Sequence, residues 1–160
     1  MTEEKWPYNL PIWRRAHCAI SPDGKFIAEI KNAYEVSMSN PTSGTLHLSA
    51  GLELEYCNPS FLWSDDSRYL AVPRFFSRFG LFRRQRLLLI DVHDRIVRAA
   101  PVITYYFQPD SFSDERLVVT KNPSRSAEKV VWEIPADLHQ FKRVDIIWRD
   151  AEQINEPAVE

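Results

Sequence analysis

A pattern of strand, acidic turn and strand occurs three times in this chain, and it limits the folds available to it. In the middle copy, residues 61–72, bulky apolar residues flank the turn Ser-Asp-Asp-Ser at 64–67. Serine and aspartate side chains bond their own backbone and tolerate turn conformations, so this cluster predicts a tight reversal between two half-buried strands. The other copies are residues 18–30 and 111–120. The chain is therefore expected to repeat one β-hairpin unit.

The spacing of the copies predicts the size of the repeated unit. The equivalent serines Ser21, Ser64 and Ser113 lie 43 and 49 residues apart, within the range of about 40–50 residues found for propeller blades. We expect an all-β chain with about three antiparallel four-stranded units at 16–52, 53–101 and 102–149. These units form one β domain over residues 1–149, and the acidic residues 150–160 are expected to be a frayed tail.

The first turn carries a family resemblance. Residues 20–28 read Ile-Ser-Pro-Asp-Gly-Lys-Phe-Ile-Ala, which resembles the signature of TolB-type, WD-repeat-like β-propeller repeats. Residues 63–71 are similar to the same signature, with its proline and glycine replaced. The resemblance implies a small propeller-like arrangement. It implies little about function, because such propellers serve as scaffolds, substrate filters and binding platforms alike.

The number of units raises the question of how the sheet edges are covered. Propellers typically close with about 4–8 blades, and three units leave edges exposed. The alternatives are a compact open or sandwich-like packing, completion by a second copy in a homodimer, or a strand contributed by a partner. We expect the first or the second.

The composition of the chain limits where the protein is expected to be located and which class of partner it is expected to bind. The net charge of −2 gives no global attraction to nucleic acid or to an anionic membrane. No stretch is long and apolar enough to span a bilayer, and the first residues have acids where a signal peptide would have bases. Cys18 and Cys57 are too few for a disulfide framework and are expected to be buried free thiols. A cytoplasmic location is the expectation.

The candidate binding site is the stretch 73–86, which contains arginines and phenylalanines and no acid. Arginine and aromatic residues are enriched at the centres of protein interfaces. We predict a loop that docks on the acidic surface of another protein, as an inhibitor or immunity-type protein would. The predicted contact residues are Arg74, Phe75, Phe76, Arg78, Phe79, Phe82, Arg83, Arg84 and Arg86.

Two other interpretations of this stretch remain open. It could be a long hairpin whose phenylalanines pack in the core and whose arginines are solvated or paired, for instance with Asp65 or Asp66. It could also bind single-stranded nucleic acid, because rings stack on bases and arginines contact phosphates. The net charge argues against nucleic acid.

The sequence does not indicate an enzyme. The four glycines are isolated, so no Gly-x-Ser-x-Gly elbow, P-loop or dinucleotide fingerprint exists. The four histidines lack zinc-site spacing, and the turn acids are explained by capping of the backbone, so we expect no metal and no cofactor. The alternative is an enzyme or enzyme subunit whose site combines dispersed residues such as Asp65, His93 and Cys57.

Overall fold

The computed structural model describes residues 17–35, 42–78, 82–122 and 126–149. Their regular structure consists of antiparallel strands and one turn of 3-10 helix at Leu138–Gln140, so the expectation of an all-β chain is confirmed. No helix among these residues is long and apolar enough to cross a membrane. The strands are β1 (His17–Ile20), β2 (Ile27–Glu35), β3 (Thr42–Leu48), β4 (Leu52–Cys57), β5 (Leu62–Trp63), β6 (Tyr69–Arg78), β7 (Phe82–Asp91), β8 (Ile96–Thr104), β9 (Phe107–Ser113), β10 (Arg116–Lys121), β11 (Glu128–Glu133) and β12 (Lys142–Val144).

The strands form three consecutive meanders, in which each strand pairs with its neighbour in the chain. The meanders are β1–β4, β5–β8 and β9–β11. Three separate four-stranded units are not confirmed, for two reasons. The first two meanders join into one sheet through the pair Cys57↔Arg74, and β12 pairs with β8 instead of with β11.

Strand boundaries in the first meander differ from the predicted ones. The residue pattern of this part of the sequence predicts two strands, at 25–31 and 34–39. The structure has one strand there, β2, which runs through Asn32, and Asn32 takes a positive φ of 55° where the pairing with β3 shifts register. Because β2 is one strand and not two, the fourth strand of the first meander is β4, which lies in the predicted second unit. The residue pattern also predicts a strand over 144–148, of which only Val144 lies in a strand, as the last residue of β12.

The second meander has a hydrophobic core on each face. Successive residues of a strand point to opposite faces of its sheet, and in β6 Leu70 and Val72 join one core cluster while Tyr69 and Ala71 join the other. The first cluster is completed by the first meander, and the second cluster by the third meander. The middle meander is thus packed between its two neighbours.

The outward faces of the first and third meanders are mainly polar. Ionisable side chains in contact on these faces are Lys31–Glu29 and His47–Glu53 on the first meander, and Arg116–Glu133 and Lys129–Asp110 on the third. Terminal units of stacked repeats characteristically carry such polar outer faces, because no further unit covers them.

The first two acidic turns have the same internal hydrogen bonds. In each turn a serine hydroxyl donates to an aspartate carboxylate two residues on and accepts from the backbone N–H five residues on. The two turns match position by position. Ser21 of the first turn corresponds to Ser64 of the second, Asp23 to Asp66, Gly24 to Ser67, and Lys25 to Arg68. The third copy is a two-residue hairpin turn in which Asp114 and Glu115 both have positive φ, the geometry of a type I′ turn.

The residues after β12 cross from the second meander back to the first. Val144, Ile146 and Trp148 pack against the core cluster between these meanders. The N–H of Arg149 then donates to the carbonyl of Gly51 at 2.7 Å, in the turn before β4. This crossing segment, residues 144–149, closes one side of the cleft described below.

Candidate functional site

The arginine- and phenylalanine-rich stretch forms a two-stranded ribbon. Strands β6 and β7 pair from Tyr69↔Asp91 to Arg78↔Phe82, so the stretch expected to be a loop is strand at 73–78 and 82–86. Each arginine of the stretch that lies in a strand therefore points to one definite face of a sheet, and these arginines do not lie along an irregular loop. This part of the prediction is corrected by the strand pairing.

Cross-strand pairing decides which side chains share a face. Arg74 lies opposite Arg86, and Phe76 lies opposite Arg84, so these four form one patch. Phe75 belongs to the opposite face, where it is buried. It therefore packs within the fold, as the hairpin interpretation expected, and is not available as a surface contact.

Two arginines of the patch lie over aromatic rings. The guanidinium carbon of Arg86 is 5.1 Å from the ring centroid of Phe76, and that of Arg84 is 4.8 Å from the ring centroid of Tyr105. Cation–π contacts of this kind contribute about 0.5–1 kcal/mol at exposed sites. Each contact also fixes the position of its guanidinium group over a ring.

Arg74 is held by the backbone of the first meander. Its Nε donates to the carbonyl of Glu55 at 3.0 Å, and its side chain is half-buried. Among the described residues, Arg74, Arg84 and Arg86 form no ion pair, whereas Arg68 is paired with Asp91 and Asp94. The patch therefore carries three positive charges that no acid among the described residues neutralises through an ion pair.

Apolar residues from β8 and the turn after it extend the patch. Ile103 lies opposite Arg86 and is 41% exposed, and Tyr105 is 49% exposed. The sequence did not single out either residue, because both were assigned to the start of the third unit. We define the arginine face as Arg74, Phe76, Arg84, Arg86, Ile103 and Tyr105.

The other predicted contact residues lie at or beyond the ends of the described strands of the ribbon. Arg78, Phe82 and Arg83 lie in the strands of the ribbon, but their side chains are outside the described part of the structure. Phe79 lies outside the described residues altogether.

A cleft adjoins the arginine face. It has a volume of about 840 Å³ and lies between β4 and the crossing segment, with Arg74 as one of its lining residues. Its lining mixes apolar side chains such as Leu52 and Ile146 with charged ones such as Lys31 and Arg149. Arg74 is therefore shared by the cleft and the arginine face.

The residues named for an enzymatic alternative do not make an evident site. Burial raises the pKa of the Cys57 thiol to about 12, so it is neither accessible nor ionised near neutral pH. The carboxylate of Asp65 accepts a hydrogen bond from the N–H of Asp114 at 2.9 Å and thereby joins two turns. His93 is exposed in the turn between β7 and β8. Within the described ranges, no group of three acids, histidines or cysteines is placed to hold a metal ion.

Comparisons with known proteins give no further guide. No protein family, no curated protein and no solved structure matches the chain.

Proposed function

We propose that the protein is a non-catalytic binding module that docks on an acidic protein surface through the arginine face. The observation that carries the proposal is the set of three arginines without an ion-pair partner among the described residues, next to exposed Ile103 and Tyr105. The guanidinium group of an arginine binds a carboxylate through two parallel hydrogen bonds, and aromatic side chains supply rigid contact area. An inhibitor or immunity-type protein fits this description, because it needs only shape and charge complementarity.

An acidic protein fits the arginine face better than single-stranded nucleic acid does. Nucleic-acid binding of that kind requires ring faces on which bases can stack. Here one face of Phe76 and one face of Tyr105 are already covered by guanidinium groups. The N–H donors of these guanidinium groups can bind the partner, and carboxylates accept hydrogen bonds from them directly.

The proposal includes a propeller-like but open architecture. The three meanders stack face to face, and the polar outer faces of the first and third favour a stack that ends there. It also includes action in the cytoplasm, where the free thiols of Cys18 and Cys57 are stable.

Site-specific photocrosslinking tests the proposal. A benzophenone amino acid at position 105 is expected to crosslink one protein in cell lysate through an acidic segment, and nuclease treatment leaves the product unchanged. Arg84→Glu together with Arg86→Glu should abolish that product, because two of the three positive charges of the face are reversed. The matched control, Arg116→Glu with Lys129→Glu, makes the same charge change on the outer face of the third meander and should leave the product intact.

The same experiment can refute the proposal. Loss of the product on nuclease treatment would assign the face to nucleic acid. An equal yield from a crosslinker at position 131, on the outer face of the third meander, would show that the contact is nonspecific.

A further inference from the structure

Two arginines lie directly opposite each other at the β12 edge of the nine-stranded sheet. Strand β12 pairs with β8 over three residues, and the central pair is Arg143↔Arg98. Residues opposite each other in an antiparallel pair share a face, with Cβ atoms about 4.5–5.5 Å apart. Like charges placed in this way destabilise the pairing, so the two arginines weaken the edge of the sheet on which they lie.

The arginine pair lies at the border of the core between the second and third meanders. Leu89 of β7 lies opposite Arg98 on its other side and belongs to that core cluster, and so does Phe141, two residues before Arg143. Opposite residues share a face, and so do residues two apart in an extended chain. Arg143 is exposed and Arg98 is half-buried, so the pair lies where this core meets solvent.

Neither arginine is neutralised by an ion pair within the described part of the chain. Asp91 lies on the same face of β7, but its carboxylate binds the guanidinium of Arg68 at 3.0 Å. Asp145 follows Arg143 by two residues, beyond the end of β12, and forms no ion pair with a described residue. The positive charges of Arg98 and Arg143 are therefore available to an external anion.

One nitrogen of Arg98 lacks a hydrogen-bond acceptor. Its Nη1 atom is buried and has no hydrogen-bond partner among the described residues. Buried polar atoms in native proteins are almost always hydrogen-bonded, because an unpaired donor loses its contacts with water without replacement. Together with the like-charged neighbour, this donor indicates that the pair is arranged for an anion.

We propose that Arg98 and Arg143 form a binding site for a phosphate group. A phosphate monoester carries a charge of about −1.5 to −2 at pH 7, so it offsets both guanidinium charges, whereas one carboxylate offsets only one. Its oxygens can accept hydrogen bonds from both side chains at once, and the planar, fixed donors of arginine suit phosphate. The bound group replaces the repulsion between the arginines with attraction to a shared anion.

Phosphate titration of the full ¹⁵N-labelled chain at pH 7 and constant ionic strength tests the site. The Nε–Hε cross-peaks of Arg98 and Arg143 are expected to shift saturably with millimolar inorganic phosphate, while that of Arg116, on the outer face of the third meander, stays in place. Arg143→Gln should weaken the binding about tenfold or more, because it removes a charge-assisted contact. The matched control, Lys142→Gln, makes the same charge change on the opposite face of β12 and should leave the binding unchanged.

Thermal unfolding gives a second measurement of the same site. In phosphate-free buffer, Arg143→Gln should have a Tm equal to or above that of the native chain, because it removes the repulsion from Arg98. Phosphate should raise the Tm of the native chain, since a ligand that binds only the folded state stabilises it, and should leave the Tm of Arg143→Gln unchanged.

Inorganic phosphate and a small phosphomonoester share the chemistry of this site, and their relative affinities separate the two sources. Tighter binding of glycerol phosphate than of inorganic phosphate would support the site with an ester as its ligand, and the reverse order would support it with free phosphate. The site shares no residue with the arginine face, and its test needs no partner protein.

Three results would overturn the proposal. One is the absence of a saturable shift at Arg98 and Arg143 with both phosphate compounds. Another is an equal shift with acetate at the same ionic strength, which would show a general effect of anions. The third is equal weakening by Lys142→Gln, because phosphate would then respond only to the net charge of this edge of the sheet.

Discussion

The hydroxyl of Ser67 accepts a hydrogen bond from the backbone N–H of Asp23 at 2.8 Å, and this bond ties the second acidic turn to the first. Ser67 occupies the place that Gly24 holds in the first turn, and both residues have positive φ. A glycine at position 67 would suit that backbone conformation better but has no hydroxyl to offer. The serine at position 67 is therefore explained by a contact between the two turns.

Ser67→Ala is expected to destabilise the protein by about 2 kcal/mol, because it leaves the N–H of Asp23 without its acceptor while keeping a side chain at positive φ. Ser67→Gly removes the same hydrogen bond but relieves the backbone, so it should destabilise less than Ser67→Ala. Urea denaturation of both variants measures the difference. Equal stability of Ser67→Ala and the native chain would show that the bond does not hold the turns together.

The sequence predicted the parts of the fold that depend on local interactions. The turn residues Ser21, Asp23, Ser64 and Asp66 hydrogen-bond within their own turns, so their pattern is sufficient to place the reversals. Strands flanking these turns were correctly predicted as strands for the same reason.

The features that the sequence did not predict depend on contacts between residues far apart in the chain. Nothing near β12 in the chain indicates that it pairs with β8 across the molecule, and nothing near Tyr105 indicates that its ring lies under Arg84. The burial of Phe75 follows from register, because a shift of one residue would exchange its face with that of Phe76. The arginine stretch was found by composition, but its accessible members required the strand pairing.

Gly51→Ala is expected to destabilise the protein by about 3 kcal/mol or more. An added Cβ would lie 1.9 Å from the carbonyl oxygen of Arg149, and Gly51 has a φ of 113°. The matched control is Gly24→Ala, at a φ of 76° with no atom within 4 Å of the added Cβ, for which about 1 kcal/mol is expected. Urea denaturation measures both, and equal losses would contradict the close packing of Arg149 on Gly51.

Acid is expected to destabilise the fold in part through Asp23. The hydrogen bonds that its carboxylate accepts, first from the hydroxyl of Ser21 and then from the N–H of Lys25, lower its pKa below the ordinary 3.8. Asp23 therefore contributes stability above pH 3.8 that is lost as the pH falls through the lower pKa of the folded chain. Asp23→Asn should show a shallower fall of Tm between about pH 4 and pH 2, and parallel curves for the two chains would refute the assignment.

The two thiols are expected to react at very different rates. Cys18 is exposed, whereas burial of Cys57 raises its thiol pKa to about 12, so the reactive thiolate of Cys57 is scarce at pH 8. Titration with a disulfide reagent at pH 8 should show one fast thiol in the native chain, none in Cys18→Ser, and two in the native sequence unfolded by guanidinium. A fast thiol in native Cys18→Ser would mean that Cys57 is accessible. Cys57 could then act as a nucleophile, and this result would favour the enzymatic alternative over the binding function proposed above.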